Sequence, residues 1–239
     1  SDDDFDAVAD QTVTASTTDD DVAGFTIVEL DGSTEVDESG DTDTFTVVLD
    51  AQPDSNVVVA ISVSDSSESS VNSPLTFTSS NWDTPQVVTI TGVDDDIIDG
   101  TINSTITVTI VDAISDNQFD GVADQTVSVS TTDDDVAGFT VTETEGSTGV
   151  DESGTTDIIT VVLDAQPTSD VVMAISSSDI SESSLNSPLT FTSENWDTPQ
   201  TVTITGIDDD VIDGDQSTTI TVSVVDALSD DDFDSLNDQ

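Results

Sequence analysis

The sequence predicts an all-β chain of tandem seven-stranded β-sandwiches in a linear array, on three observations. Val, Ile, Leu and Phe fall in short runs that alternate with Thr and Ser, the period-2 pattern of a half-buried strand. The chain matches itself at an offset of 114 residues. Its hydrophobic fraction of 33% is enough to build cores despite a formal charge of −53, so the charge reads as an acidic surface on a folded chain rather than as disorder.

The elements of the first full copy are placed by alternation and turn signals near 22–30, 44–50, 57–64, 74–78, 86–92, 104–111 and 125–131. Phe45, Val47 and Leu49 share one face, as do Val57, Val59, Ile61 and Val63, and as do Ile106, Val108 and Ile110. Those faces are expected in the core. The intervening Thr and Ser are expected toward solvent, where β-branched Thr suits a pleated surface. Phe25, Phe77, Trp82 and Phe119, with Phe139, Phe191, Trp196 and Phe233 in the second copy, read as core anchors.

Self-comparison sets the organisation. NSPLTFTSSNWDTPQVVTIT from Asn72 returns as NSPLTFTSENWDTPQTVTIT from Asn186, and roughly 74 of 104 paired positions from Val22 onward are identical. A unit of this size fits an immunoglobulin-like sandwich. Residues 1–21 match 115–135 and read as the tail, FG loop and last strand, of a preceding repeat. Residues 22–135 form a complete repeat, and 136–239 a second that lacks its last strand. The chain is expected to be a window on a longer array; a second reading is strand donation, in which residues 11–18 of one chain complete the second repeat of another.

Composition excludes most chemistry. There is no Lys, Arg, His, Cys or Tyr, hence no imidazole base, thiolate, amine or guanidinium. The charge repels nucleic acid and anionic membranes, and no apolar run approaches the ~18 residues of a membrane helix. No enzyme is expected: paired carboxylates of a glycosidase type lack an evident cleft and aromatic platform. Identical chains in a filament and neighbouring repeats of the same chain are the expected partners.

The acidic residues sort by end of the sandwich. If successive strands run antiparallel, Glu35, Asp37, Glu38, Asp41, Asp43, Asp65, Glu68, Asp94, Asp95, Asp96, Asp99, Asp133, Asp134 and Asp135 lie at one end. Asp50, Asp54, Asp83, Asp112, Asp116, Asp120 and Asp124 lie at the other. Fourteen carboxylates from four distant segments against seven points to a cation cluster. Ca²⁺ is the expected ion, because it takes ~6–8 oxygen ligands in irregular geometry, whereas Zn²⁺ and Cu²⁺ prefer imidazole or thiolate. The repeated IDDDVIDG and TTDDD segments add Asp213 and, from the tail, Asp19, Asp20 and Asp21 as further candidates. The junctions at Thr17 and Thr131 leave hardly a linker, so metal there could bridge neighbouring units.

The VDESG segment, the SPLTFTSSNWDTPQVVTITGVDDD segment and the acidic turn that follows resemble the Calx-β family, the repeat of sodium–calcium exchangers and of large bacterial surface proteins. The resemblance implies a sandwich of about seven strands that binds Ca²⁺ through distal loops. By position it makes Glu38, Asp65, Asp94, Asp95, Asp96 and Asp135 ligand candidates, with Glu152, Asp179, Asp208, Asp209 and Asp210 in the second copy. The family's usual segment between the third and fourth strands is replaced here by SDSSESS, with no Tyr. The expected function is a structural calcium-binding repeat of a secreted or cell-surface protein, forming a stalk or filament for adhesion; a regulatory calcium sensor is the alternative.

Overall fold

The computed structural model describes residues 9–239 except 31, 145, 213, 235, 237 and 238. It is all-β, and its strands gather into four sheets that enclose two hydrophobic clusters.

In the first unit β1 (Phe25–Glu29), β2 (Thr34–Asp37), β3 (Thr42–Leu49), β4 (Val57–Val63), β5 (Ser69–Val71), β6 (Leu75–Phe77), β7 (Gln86–Gly92), β8 (Ile102–Ile110) and β9 (Gln125–Thr132) make two sheets. One has the order β1-β3-β7-β5 and the other β2-β9-β8-β4-β6. The alternation read from sequence holds: Phe45, Val47, Val57, Val59, Ile106 and Val108 are fully buried between the sheets, joined by Phe77 and Phe119. Trp82 packs against this cluster while only partly buried.

Nine strands stand here, among the described residues, where seven were expected. β2 and β5 are the additions. Both are short and carry acidic or Ser residues where an apolar alternation would be looked for, so their conformation is set by their partners. β2 pairs in parallel with β9, from Thr34↔Val129 to Asp37↔Thr132, and β5 pairs with the end of β7, Ser69↔Gly92.

In the second unit β10 (Phe139–Glu143), β11 (Thr156–Leu163), β12 (Val171–Ser177), β13 (Ser183–Leu185), β14 (Leu189–Phe191), β15 (Gln200–Gly206) and β16 (Ile220–Val224) give the orders β10-β11-β15-β13 and β14-β12-β16. Its cluster includes Val161, Val171, Met173, Phe191 and Phe233, all fully buried. Among the described residues this unit has no counterpart of β2 or β9. Gln239 stands where Gln125 stands in the first unit: it exchanges two backbone hydrogen bonds with Val222, at 2.8 and 3.1 Å, as Gln125 pairs with Val108.

The units touch. The loop after β7 meets the loop after β11 through a parallel bridge, Ile97↔Gln166, and Ile98 packs against the second unit's hydrophobic cluster.

Candidate metal centre

Four segments deliver the acidic side chains to one end of the first unit. β2 brings Glu38: its backbone N–H donates to the Thr132 carbonyl at 3.1 Å, and the chain turns back at Gly40, whose φ of +91° is a left-handed conformation suited to glycine. Gly92 closes the same corner. A Cβ there would lie 1.8 Å from the Asp37 carbonyl oxygen, so only glycine lets β7 end beneath β2. Glu68 is fixed by β5, its carbonyl accepting from Val93 N–H at 3.0 Å.

The loop after β7 carries Asp95 and Asp99, and the segment after β9 carries Asp133 and Asp135. Asp133 ties the two together. Its Oδ2 accepts from the N–H groups of Asp99 and Gly100 at 3.0 and 2.9 Å, and its Oδ1 accepts from Asp135 N–H at 2.7 Å. Asp95 Oδ1 orders its own loop by accepting from Ile97 N–H at 2.8 Å.

Two groups of carboxylates result, Glu38–Glu68–Asp99 and Glu38–Asp95–Asp135, in each of which one oxygen per residue lies within 4.8 Å of the others. Glu38 belongs to both. Glu38 and Glu68 are 1% and 5% exposed. Oε2 of each, and Oδ2 of Asp135, are buried without a hydrogen-bond partner in the protein.

The electrostatics follow from geometry. Burial, then the charges of Asp95, Asp99, Asp133 and Glu68, push the Glu38 carboxyl from 4.5 up to about 7. Burial, then Asp133, Asp96, Asp134 and Asp95, push Asp135 up to about 6. Glu68 and Asp99 are raised for the same reasons, burial first. Two unit charges at ~4 Å repel by about 4 kcal/mol at an effective dielectric of 20. With no cationic side chain in the sequence, only protons or bound cations can relieve such repulsion. The donors are all hard oxygens, the set that suits Ca²⁺ or Mg²⁺.

The remaining expected residues fall outside these groups. Asp94, Asp96 and Asp134 are exposed, next to the half-buried Asp95, Asp133 and Asp135. Extended backbone sends neighbours to opposite sides, and that alternation through each DDD run was the available signal for sorting them. Asp65 is exposed and accepts from Ser67 N–H and Oγ at 3.1 and 2.5 Å, which lower its pKa. Glu68, expected among the fourteen carboxylates at this end but not in the ligand set that the resemblance implies, lies inside the first group.

In the second unit Glu152 and Asp209 are half-buried and Asp179, Asp208 and Asp210 exposed. Among the described residues none of them joins a group of three at ligand distance, and Asp213 lies outside the described residues. Asp179 holds Ser181, accepting from its N–H and Oγ at 2.9 and 2.6 Å. Asp19, Asp20 and Asp21 are exposed; Asp19 Oδ1 accepts from Asp21 N–H at 3.2 Å. The physical reason is the three-stranded sheet. Among the described residues no strand stands beside β16 as β9 stands beside β8, and none brings a counterpart of Asp133 and Asp135 to Glu152.

No family model matches the chain, and no curated protein matches it. Among solved structures it is similar to the calcium binding domain CBD12 of CALX1.1, at 16% identity over 83% of this chain and 79% of that one, with a TM-score of 0.34. It is also similar to the apo form of the Calx CBD1 domain, at 18% identity over 46% of this chain and 98% of that one, TM-score 0.34. Domains 5-6 of the S-layer protein SbsC align at 18% identity over 92% of this chain and 96% of theirs, TM-score 0.31. Likenesses this loose say nothing of function.

Proposed function

We propose that the chain is a structural calcium-binding repeat whose ions rigidify an extended surface stalk or filament. One observation carries the reading: three buried carboxylate oxygens, on Glu38, Glu68 and Asp135, have no hydrogen-bond partner in a protein without a single Lys, Arg or His. Burying an unpaired ionised carboxylate costs several kcal/mol. Above pH 7 a cation must offset that cost.

Glu68 and Asp99 would hold one ion, Asp95 and Asp135 a second, and Glu38 would serve both. Two divalent ions offset most of the charge of those five carboxylates. A bound ion supplies no reaction here; it holds the segments after β2, β7 and β9 and the start of β5 in one place. Since the loop after β7 also touches the second unit, the same ions limit motion between units. That is the property an extracellular spacer needs, and a chain whose charge repels its own surfaces gains reach from it.

The test is thermal unfolding of the intact chain under a Ca²⁺ titration with chelator as reference. A ligand specific to the folded state stabilises by about 2.7 kcal/mol at a hundred times its Kd, or on the order of 10 °C in Tm for a unit of this size. A saturable rise that Mg²⁺ reproduces poorly supports the reading. A melting curve indifferent to chelator and Ca²⁺ at pH 8 overturns it.

A further inference from the structure

We infer that Asn103 is an N-glycosylation site, its side-chain amide carrying an oligosaccharide on the outer face of the five-stranded sheet. Asn103-Ser104-Thr105 is the one place in the sequence where Asn is followed two residues later by Ser or Thr with no Pro between, the acceptor pattern of secreted chains. The inference rests on the surface half of the reading above and not on its calcium half.

Such a triplet also arises by chance, so its placement decides whether it can carry a sugar. Asn103 and Thr105 are alternate residues of β8 and both are exposed. Ser104 between them points inward, 3% exposed, with its hydroxyl 3.5 Å from that of Ser69. The register Asn103↔Ser130 and Thr105↔Ser128 sets only small hydroxyl side chains across from the two acceptor residues. On the other side β4 has already ended: Ser64 N–H donates to the Thr105 carbonyl at 2.9 Å, two residues short of Asn103. A glycan at Asn103 therefore displaces no part of the core.

The fold gives this Asn no task of its own. Asn72 Nδ2 donates to the Val87 carbonyl at 3.3 Å, and Asn81 Oδ1 accepts from Thr78 N–H at 2.6 Å. Asn186 and Asn195 repeat both bonds in the second unit, at 3.2 and 2.6 Å. The Asn103 side chain makes no hydrogen bond among the described residues, and its counterpart 114 residues on is Ser217.

The donor is an oligosaccharide linked through diphosphate to a polyprenyl lipid. Asn103 Nδ2 attacks C1 of the sugar, the bond from C1 to the diphosphate oxygen breaks, the lipid diphosphate leaves with the electron pair, and Nδ2 gives up one proton. Nothing is oxidised or reduced. Transfer takes place on the chain as it crosses the membrane, before β8 is paired, so the sheet has only to accommodate the product. Two strands in from β2, or about 10 Å at the usual strand spacing, a hydrated neutral polymer keeps this flat face of Ser and Thr from stacking on another sheet.

Two measurements test this. The full chain is translated behind a signal peptide in the presence of microsomes, and only translocated, protease-protected chains are scored. They are expected to gain one glycan, removed by an amidase that converts Asn103 to Asp; the site is read in peptides cut at Asp and Glu, since there is no Lys or Arg. Asn103→Gln and Thr105→Ala should lose the mobility shift completely, and Thr105→Ser should keep it. Translocated parent chains without a shift overturn the inference, as does a shift that survives N103Q. On intact producing cells, loss to external protease then reports whether the protein lies outside, and peptide mass whether Asn103 is modified. Accessible protein with a glycan on Asn103 is expected. Accessible protein bare at Asn103 overturns the inference and leaves the surface reading standing, whereas protein that is bare and shielded overturns both.

Discussion

The backbone N–H of Gln166 donates to the carbonyl of Asp96 at 2.7 Å. The loop that presents Asp95 and Asp99 to the acidic cluster of one unit is thereby fastened to the next unit, so order in the cluster is transmitted to the junction. Small-angle scattering should show this. With Ca²⁺ the maximum dimension of the chain is expected to be larger and better defined than with chelator, and Asp95→Asn should abolish most of the difference. Equal profiles in all four conditions would separate the cluster from the junction.

Glu38→Gln distinguishes a cation site from a solvated acidic surface. The substitution removes a buried negative charge, so without metal at pH 8 the variant should be more stable than the parent. At ~1.4 kcal/mol per pKa unit the displacement of Glu38 to about 7 sets an upper bound of about 3 kcal/mol. Its Ca²⁺-induced rise in Tm should be mostly lost. A variant less stable than the parent in chelator would show that the Glu38 carboxylate is held by something other than a cation.

The pH dependence without metal has a definite sign. Glu38 and Asp135 bind their protons more tightly in the folded state, to about 7 and about 6, than in the unfolded chain. Between their ordinary values and these the folded state carries more protons, so stability is fully present below pH ~4 and is lost as pH rises toward 7. Chelated protein should melt higher at pH 5 than at pH 8. Because ligands must shed their protons, Ca²⁺ affinity should rise over the same interval, and binding near pH 6.5 should release protons measurable by calorimetry in buffers of different ionisation enthalpy.

Asp116 provides the control at the opposite end of the first unit. It is 5% exposed and accepts from the N–H groups of Ser55 and Gln118 at 2.8 and 3.0 Å, bonds that lower its pKa. Asp116→Ala strands those two donors and should cost about 1–3 kcal/mol, seen as a lower Tm, while the Ca²⁺-induced shift is unchanged. A reduced shift would mean that the ions bind elsewhere.

Much of this arrangement was readable from residues alone. The five longer strands β3, β4, β7, β8 and β9 announce themselves by alternation, as Phe45-Val47-Leu49 shows. Sorting loops by end puts Glu38, Glu68, Asp95, Asp99 and Asp135 together from sequence alone. What was not readable depends on partners. The TEVD of β2 is a strand because β9 lies beside it; the second copy of the same region, TGVD at Thr148–Asp151, is not a strand, and among the described residues no counterpart of β9 lies beside it. Duplication of sequence therefore did not guarantee duplication of the cluster: Glu152 and Glu38 share a motif but not an environment.

The parallel pairing of β2 with β9 has a mechanical consequence. Tension applied between the segment upstream of β2 and the segment after β9 would pull the two strands in opposite directions along their length. The four register pairs from Thr34↔Val129 to Asp37↔Thr132 are then sheared together rather than peeled one at a time. Asp133 and Asp135 follow directly on β9, and any slip of that strand must first drag both carboxylates away from Glu38. An ion seated there acts as a latch on the strand that bears the pull.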